Sequence, residues 1–131
     1  MKALISLGAL VLLAACAKTA PPVASEHSHA SLVHAGIGQE VTVDGPRVVP
    51  LAVIEDSRCP ESVQCVWSGQ VRISIRIITG RGAETRDVTL GERIPVADGT
   101  LLLADVEPAR TSEAAIPPGD YRFGFRFDGG Y

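Results

Sequence analysis

The chain has 131 residues, 46% hydrophobic and 21% charged, with three cysteines and a formal charge of −3. A length of this order holds one small domain. The mildly acidic balance argues against a nucleic-acid partner, which calls for a basic face.

Lys2 precedes an apolar run, Ala3 to Ala15, that closes on Leu13-Ala14-Ala15-Cys16. A positive start, a short apolar core and a small-residue site are the parts of a secretory signal peptide. The run is too short for a membrane-spanning helix, which needs about 20 apolar residues. The Leu-Ala-Ala-Cys segment resembles a bacterial lipobox. That resemblance implies cleavage before Cys16 and acylation of its thiol and its new amino group. Several acyl chains on one residue anchor a protein firmly to a membrane. The expected division is a lipoprotein signal peptide over 1–15, a lipidated Cys16 with a flexible tether over 16–36, and a β-domain over 37–131. Ala17, where enterobacterial lipoproteins retained in the inner membrane carry Asp, favours an outer-membrane anchor facing the periplasm.

Residues 17–31 are rich in Ala, Ser and Pro without periodicity, and read as the tether. Extended, they reach about 50 Å at roughly 3.3 Å per residue. All three histidines, His27, His29 and His34, lie in or just after this segment, so none is expected in the β-domain. Imidazoles so spaced suit copper or zinc, but a solvated polar linker is the plainer reading.

From residue 37 the pattern alternates. Val41 and Val43 precede a turn at Asp44-Gly45-Pro46, and residues 47–55 form a β-rich run in which Pro50 marks an edge or a bulge. Cys59 and Cys65 follow, an even pair that reads as a disulfide in an exported domain. Metal-binding or reactive thiols are the competing reading, and no further ligand cysteine supports it. Val71, Ile73, Ile75 and Ile77 alternate with Arg72, Ser74 and Arg76, the clearest strand of the chain. Thr79-Gly80-Arg81-Gly82 is a hairpin turn, residues 84–90 a strand ended by Gly91, and Asp98-Gly99 a second hairpin signal leading into a central strand at 100–107. Residues 108–120 hold three prolines and read as a loop, with at most a weak helix. Tyr121, Phe123, Phe125 and Phe127 then line one face of the last strand. The fold class expected is all-β, a small antiparallel sandwich or partly closed barrel of about seven strands with one short-loop disulfide.

One segment is distinctive: Glu55-Asp56-Ser57-Arg58-Cys59-Pro60, then Cys65-Val66-Trp67-Ser68-Gly69. It resembles a signature of small, functionally uncharacterised bacterial lipoproteins and exported proteins. The resemblance implies location and disulfide, and no reaction. Physically, Trp67 is expected to pack on the disulfide or cap the sheet, Gly69 to permit a bend, Asp56 and Ser57 to cap loop amides, and Arg58 to pair with a neighbouring acid. The functional alternative makes the rigid loop a recognition surface, with Asp56, Arg58, Glu61 and Trp67 as partner-binding residues.

Catalytic patterns are absent from the sequence: there is no nucleophile elbow, phosphate-binding glycine loop or metalloprotease helix. Asp105 and Glu107 share a strand face, where a solvated pair is the ordinary reading. The expectation is therefore a lipid-anchored envelope domain with no enzymatic activity and no cofactor, binding or structural in role, with an unidentified envelope protein as partner. The alternatives are an inhibitor of a hydrolase such as lysozyme, and periplasmic copper or zinc binding through the N-terminal histidines.

Overall fold

A computed structural model describes residues 31–129. The chain forms two four-stranded antiparallel sheets packed face to face, with no closed barrel. Its strands are β1 (Val33–Ala35), β2 (Val41–Thr42), β3 (Arg47–Asp56), β4 (Val71–Thr79), β5 (Gly82–Thr89), β6 (Arg93–Val96), β7 (Gly99–Glu107) and β8 (Arg122–Asp128). One sheet has the order β2-β3-β4-β5 and the other β1-β8-β7-β6.

Alternation builds both inner faces. Val71, Ile73, Ile75 and Ile77 of β4 are fully buried, as are Phe123 and Phe125 of β8, with Tyr121 and Phe127 almost so. Each buried aliphatic or aromatic side chain contributes about 2–3 kcal/mol of transfer free energy. Tyr121 stacks on Phe123 with ring centroids 5.5 Å apart, as residues two apart on one strand face can.

The crossing between sheets is sharp. The Leu90 N–H donates to the Val71 carbonyl of β4, and the next amide, Gly91, donates to Leu103 of β7, in the other sheet. Arg86 ties the same edge by donating from Nη1 to the Pro95 carbonyl at 2.6 Å. Pro50 lies in register with Ile75, and the pairing shifts directly after it, the bulge expected of a proline inside a strand.

Two expectations need correction. The β-fold starts at Val33 rather than 37, because Val33, His34 and Ala35 pair with Phe125, Gly124 and Phe123 of β8. His34 therefore belongs to the sheet and not to a tether. The β6–β7 hairpin closes through Ala97 and Asp98, with Val96 opposite Gly99. Ala97 takes the positive φ of 51°, while Gly99 is small because β8 runs close over it: an added Cβ would run into the Asp128 carbonyl oxygen. Residues 108–120 form the loop expected of them, with a 3₁₀ turn at Pro118–Asp120.

Candidate functional site

The segment between β3 and β4 leaves the sandwich as a clamped protrusion. At its neck the Ser57 N–H donates to the Gln70 carbonyl at 2.8 Å, and the Gln70 N–H donates back to Ser57 Oγ at 2.9 Å. One step further out, Cys59 N–H donates to the Ser68 carbonyl at 3.2 Å. The Cys59–Cys65 disulfide, with Cα atoms 5.9 Å apart, closes the tip. Gly69 makes the neck possible. Its φ is +69°, and a Cβ there would collide with the Ser57 carbonyl.

Beneath the neck sits an ionic anchor. Arg58 donates from Nε to Asp56 Oδ1 and from Nη2 to Asp56 Oδ2, both at 2.9 Å, a two-point fork. The Tyr121 hydroxyl adds a bond to Asp56 Oδ2 at 2.8 Å. Arg58 Nη1 reaches the Val106 carbonyl of β7 at 3.2 Å, linking the loop to the opposite sheet. The side chains of Asp56 and Arg58 are only 9% and 17% exposed.

The electrostatics follow. Burial pushes the Asp56 carboxyl up, but the hydrogen bonds from Arg58 and Tyr121 and the Arg58 charge outweigh it and hold the group below 3.8. Hydrogen bonding to Asp56 raises the Arg58 guanidinium against its own burial. Burial, then the bond to Asp56 and its charge, push the Tyr121 phenol up to about 12.

A second strut comes from the loop 108–120. Arg110 Nη1 donates to the Asp56 carbonyl at 3.0 Å, its Nη2 to the Glu113 carbonyl at 3.1 Å, and its own carbonyl accepts from the Glu61 N–H at 2.9 Å. No protein-family model, curated protein or solved structure matches the chain. What the protrusion can do rests on its own geometry.

The four residues expected to bind a partner divide into two groups. Asp56 and Arg58 turn inward and satisfy each other. Glu61 and Trp67 remain at the surface, and Trp67 is 84% exposed, with Val66 fully exposed beside it and Val63 partly so. Trp67 therefore neither packs on the disulfide nor caps the sheet, contrary to the structural expectation for it. Sequence reasoning gave Arg110 and Tyr121 no part in this anchor. Tyr121 carried a signal, since a phenol that ends a core face needs a partner for its hydroxyl. Arg110 carried none, because its role depends on where a proline-rich loop lands.

Cys16, His27 and His29 lie outside the described residues. His34 lies on β1, with Nε2 at 3.2 Å from Asp105 Oδ2 of β7. An apolar groove of about 420 Å³, lined by Ile37, Leu51, Val53, Ile116 and Tyr121 among others, opens beside β3. The Tyr121 hydroxyl, its one titratable group, is already committed to Asp56. Among the described residues no helix is long and apolar enough to cross a membrane.

Proposed function

We propose that this protein is a lipid-anchored, non-catalytic domain of the bacterial envelope that binds a protein partner through the tip of the loop between β3 and β4. The observation that carries the reading is the exposed Trp67 on a loop fixed by a disulfide, a hydrogen-bonded neck and the Asp56–Arg58–Tyr121 anchor. Tryptophan is among the residues that most often dominate binding energy when buried by a partner. A loop already held in one shape gives up little ordering entropy on docking. Val63 and Val66 widen the apolar contact, and Glu61 supplies a charged rim.

The anchoring half of the proposal rests on the lipobox-like Leu13-Ala14-Ala15-Cys16. Mass spectrometry of protein from its native host tests it: a diacylated and N-acylated Cys16 is expected, and a chain still beginning at Met1 would refute it.

The binding half is tested by affinity capture from crosslinked envelopes. The wild-type chain is expected to retain a partner that Trp67→Ala loses while remaining folded. Equal capture by both removes the loop from the interface. A narrower form of the same reading makes the partner a hydrolase, such as a lysozyme, whose cleft accepts the protruding tip. Inhibition across a hydrolase panel that disappears in Trp67→Ala is its expected signature.

A further inference from the structure

The outer face of the sheet β1-β8-β7-β6 carries a second arrangement, unrelated to the loop. His34 on β1 and Asp105 on β7 are not neighbours in the sheet, since β8 runs between them. The β8 residue in register with both is Gly124. With no side chain there, the imidazole and the carboxylate meet above the intervening strand. A Cβ at 124 would stand 3.0 Å from His34 Nε2 and 3.0 Å from Asp105 Cβ. The register shift between Leu103 and Asp105 turns Asp105 and Glu107 to this outer face, with Val106 inward. As a result, one ligand atom from each of His34, Asp105 and Glu107 lies within 4.8 Å of the other two.

We propose that His34, Asp105 and Glu107 form a surface site for a divalent transition-metal ion of the Zn²⁺ class. Three observations carry this. First, the donor set is one imidazole and two carboxylates, a mixture that suits first-row transition ions better than Ca²⁺, which takes six to eight oxygens. Second, a tetrahedral zinc with ligands at about 2.1 Å has ligand–ligand edges of roughly 3.4 Å. The His34–Asp105 separation of 3.2 Å is already such an edge. Glu107 is exposed, and its free side chain can close the remaining distance without backbone movement. The fourth position faces solvent.

Third, no arginine is bonded to either carboxylate. Among the described residues neither Asp105 nor Glu107 forms an ion pair with an arginine. Arg122 lies opposite Glu107 in register without bridging to it. Arg58 is near Asp105, but its hydrogen bonds go to Asp56 and the Val106 carbonyl. Two anions side by side on one strand repel each other, and a bound cation between them and the imidazole turns that repulsion into attraction. All three ligands stand on or at the end of paired strands, so the backbone is fixed before the ion arrives.

The site differs from one built of the three N-terminal histidines, and the experiment separates the two. Protein purified without a histidine tag is titrated with Zn²⁺ by calorimetry, alongside Asp105→Asn, His34→Ala and the double variant His27→Ala/His29→Ala. The expected result is one ion per chain with a dissociation constant of roughly micromolar order. Asp105→Asn and His34→Ala should each weaken it at least about tenfold, and the His27/His29 variant should leave it within about threefold, well short of a lost ligand. Asp105→Asn keeps the shape of the side chain, so a folded variant is secured for comparison. Thermal melting gives a second readout: Zn²⁺ should raise the midpoint of the wild type and of the His27/His29 variant, and not of Asp105→Asn. Binding no tighter than millimolar, or binding lost with His27 and His29 but kept without His34 and Asp105, overturns the proposal.

Discussion

Trp67 and Tyr121 sit at opposite ends of one construction, and single substitutions separate their roles. Trp67 is nearly bare to solvent, so Trp67→Ala should change unfolding free energy by no more than about 0.5 kcal/mol, the usual range for surface changes. A larger loss in urea denaturation would mean that the ring packs within the domain after all. Tyr121→Phe removes the hydroxyl that donates to Asp56 at 2.8 Å. A hydrogen bond to a charged group is worth about 1.5–3 kcal/mol, and a cost of that order is expected at neutral pH. The same variant should alter the alkaline limb. Tyr121 titrates near 12 in the fold against 10.0 for a free phenol. The folded state therefore favours the neutral phenol, and the resulting stability is complete below pH 10 and lost as pH rises through 12. Tyr121→Phe should lack this loss. Asp56 has the opposite sign: its folded value lies below 3.8, so its contribution is complete above that pH and fades as acid protonates it. The difference in stability between wild type and Asp56→Asn should narrow as pH falls below 3.8, because the native carboxylate then takes up its proton.

Strands and turns were legible in proportion to their length. The alternation of β4 and β8 named their buried faces correctly, because strands of nine and seven residues repeat the period often enough to be seen. β1, with three residues, shows no readable period, and only its pairing makes it a strand; at β2 the alternation of Val41 and Val43 is legible but the strand itself has two residues. β6 hid behind Pro95 for the same reason. The Asp98-Gly99 signal located its hairpin but misplaced its apex by a residue, since the glycine answers to the overlying β8 and not to the turn. That leaves Ala97 at φ 51°, where a side chain is strained. Ala97→Gly should relieve it and raise stability by about 0.5–1 kcal/mol, read as a higher urea midpoint with unchanged slope. Within the loop between β3 and β4, Gly69→Ala should act oppositely. The new Cβ meets the Ser57 carbonyl at a left-handed position, and overpacking with backbone strain costs about 2–3 kcal/mol. The motif announced the loop and its disulfide. The pairing of Arg58 with a neighbouring acid is legible there too, and the structure selects Asp56; the rest of the anchor is hidden because Tyr121 and Val106 reach Asp56 and Arg58 from distant parts of the chain.

At the scale of the whole molecule, the start of the domain decides how the sandwich is finished. A boundary drawn at residue 37 would leave β8 as an open edge beside the aromatic core. In the structure β1 covers that edge, Ala35 is fully buried, and the Ser31 N–H donates to Asp44 Oδ2 at 3.1 Å. An uncovered, apolar strand edge is a template for pairing with another chain. Two truncations test the consequence. A chain beginning at residue 31 should melt within a few degrees of a chain beginning at residue 17 and keep the same oligomeric state. A chain beginning at residue 37 loses the β1–β8 pairing and the burial of Ala35 and Val33, a deficit of about 3 kcal/mol, which lowers the melting midpoint by more than about 10 °C in a domain of this size. It should also self-associate in size-exclusion chromatography, since Phe123 and Phe125 then lie on an exposed backbone edge. Equal melting of the two truncations would show that β1 is an ornament on a fold already complete at residue 37, and would remove the rigid footing on which His34 meets Asp105.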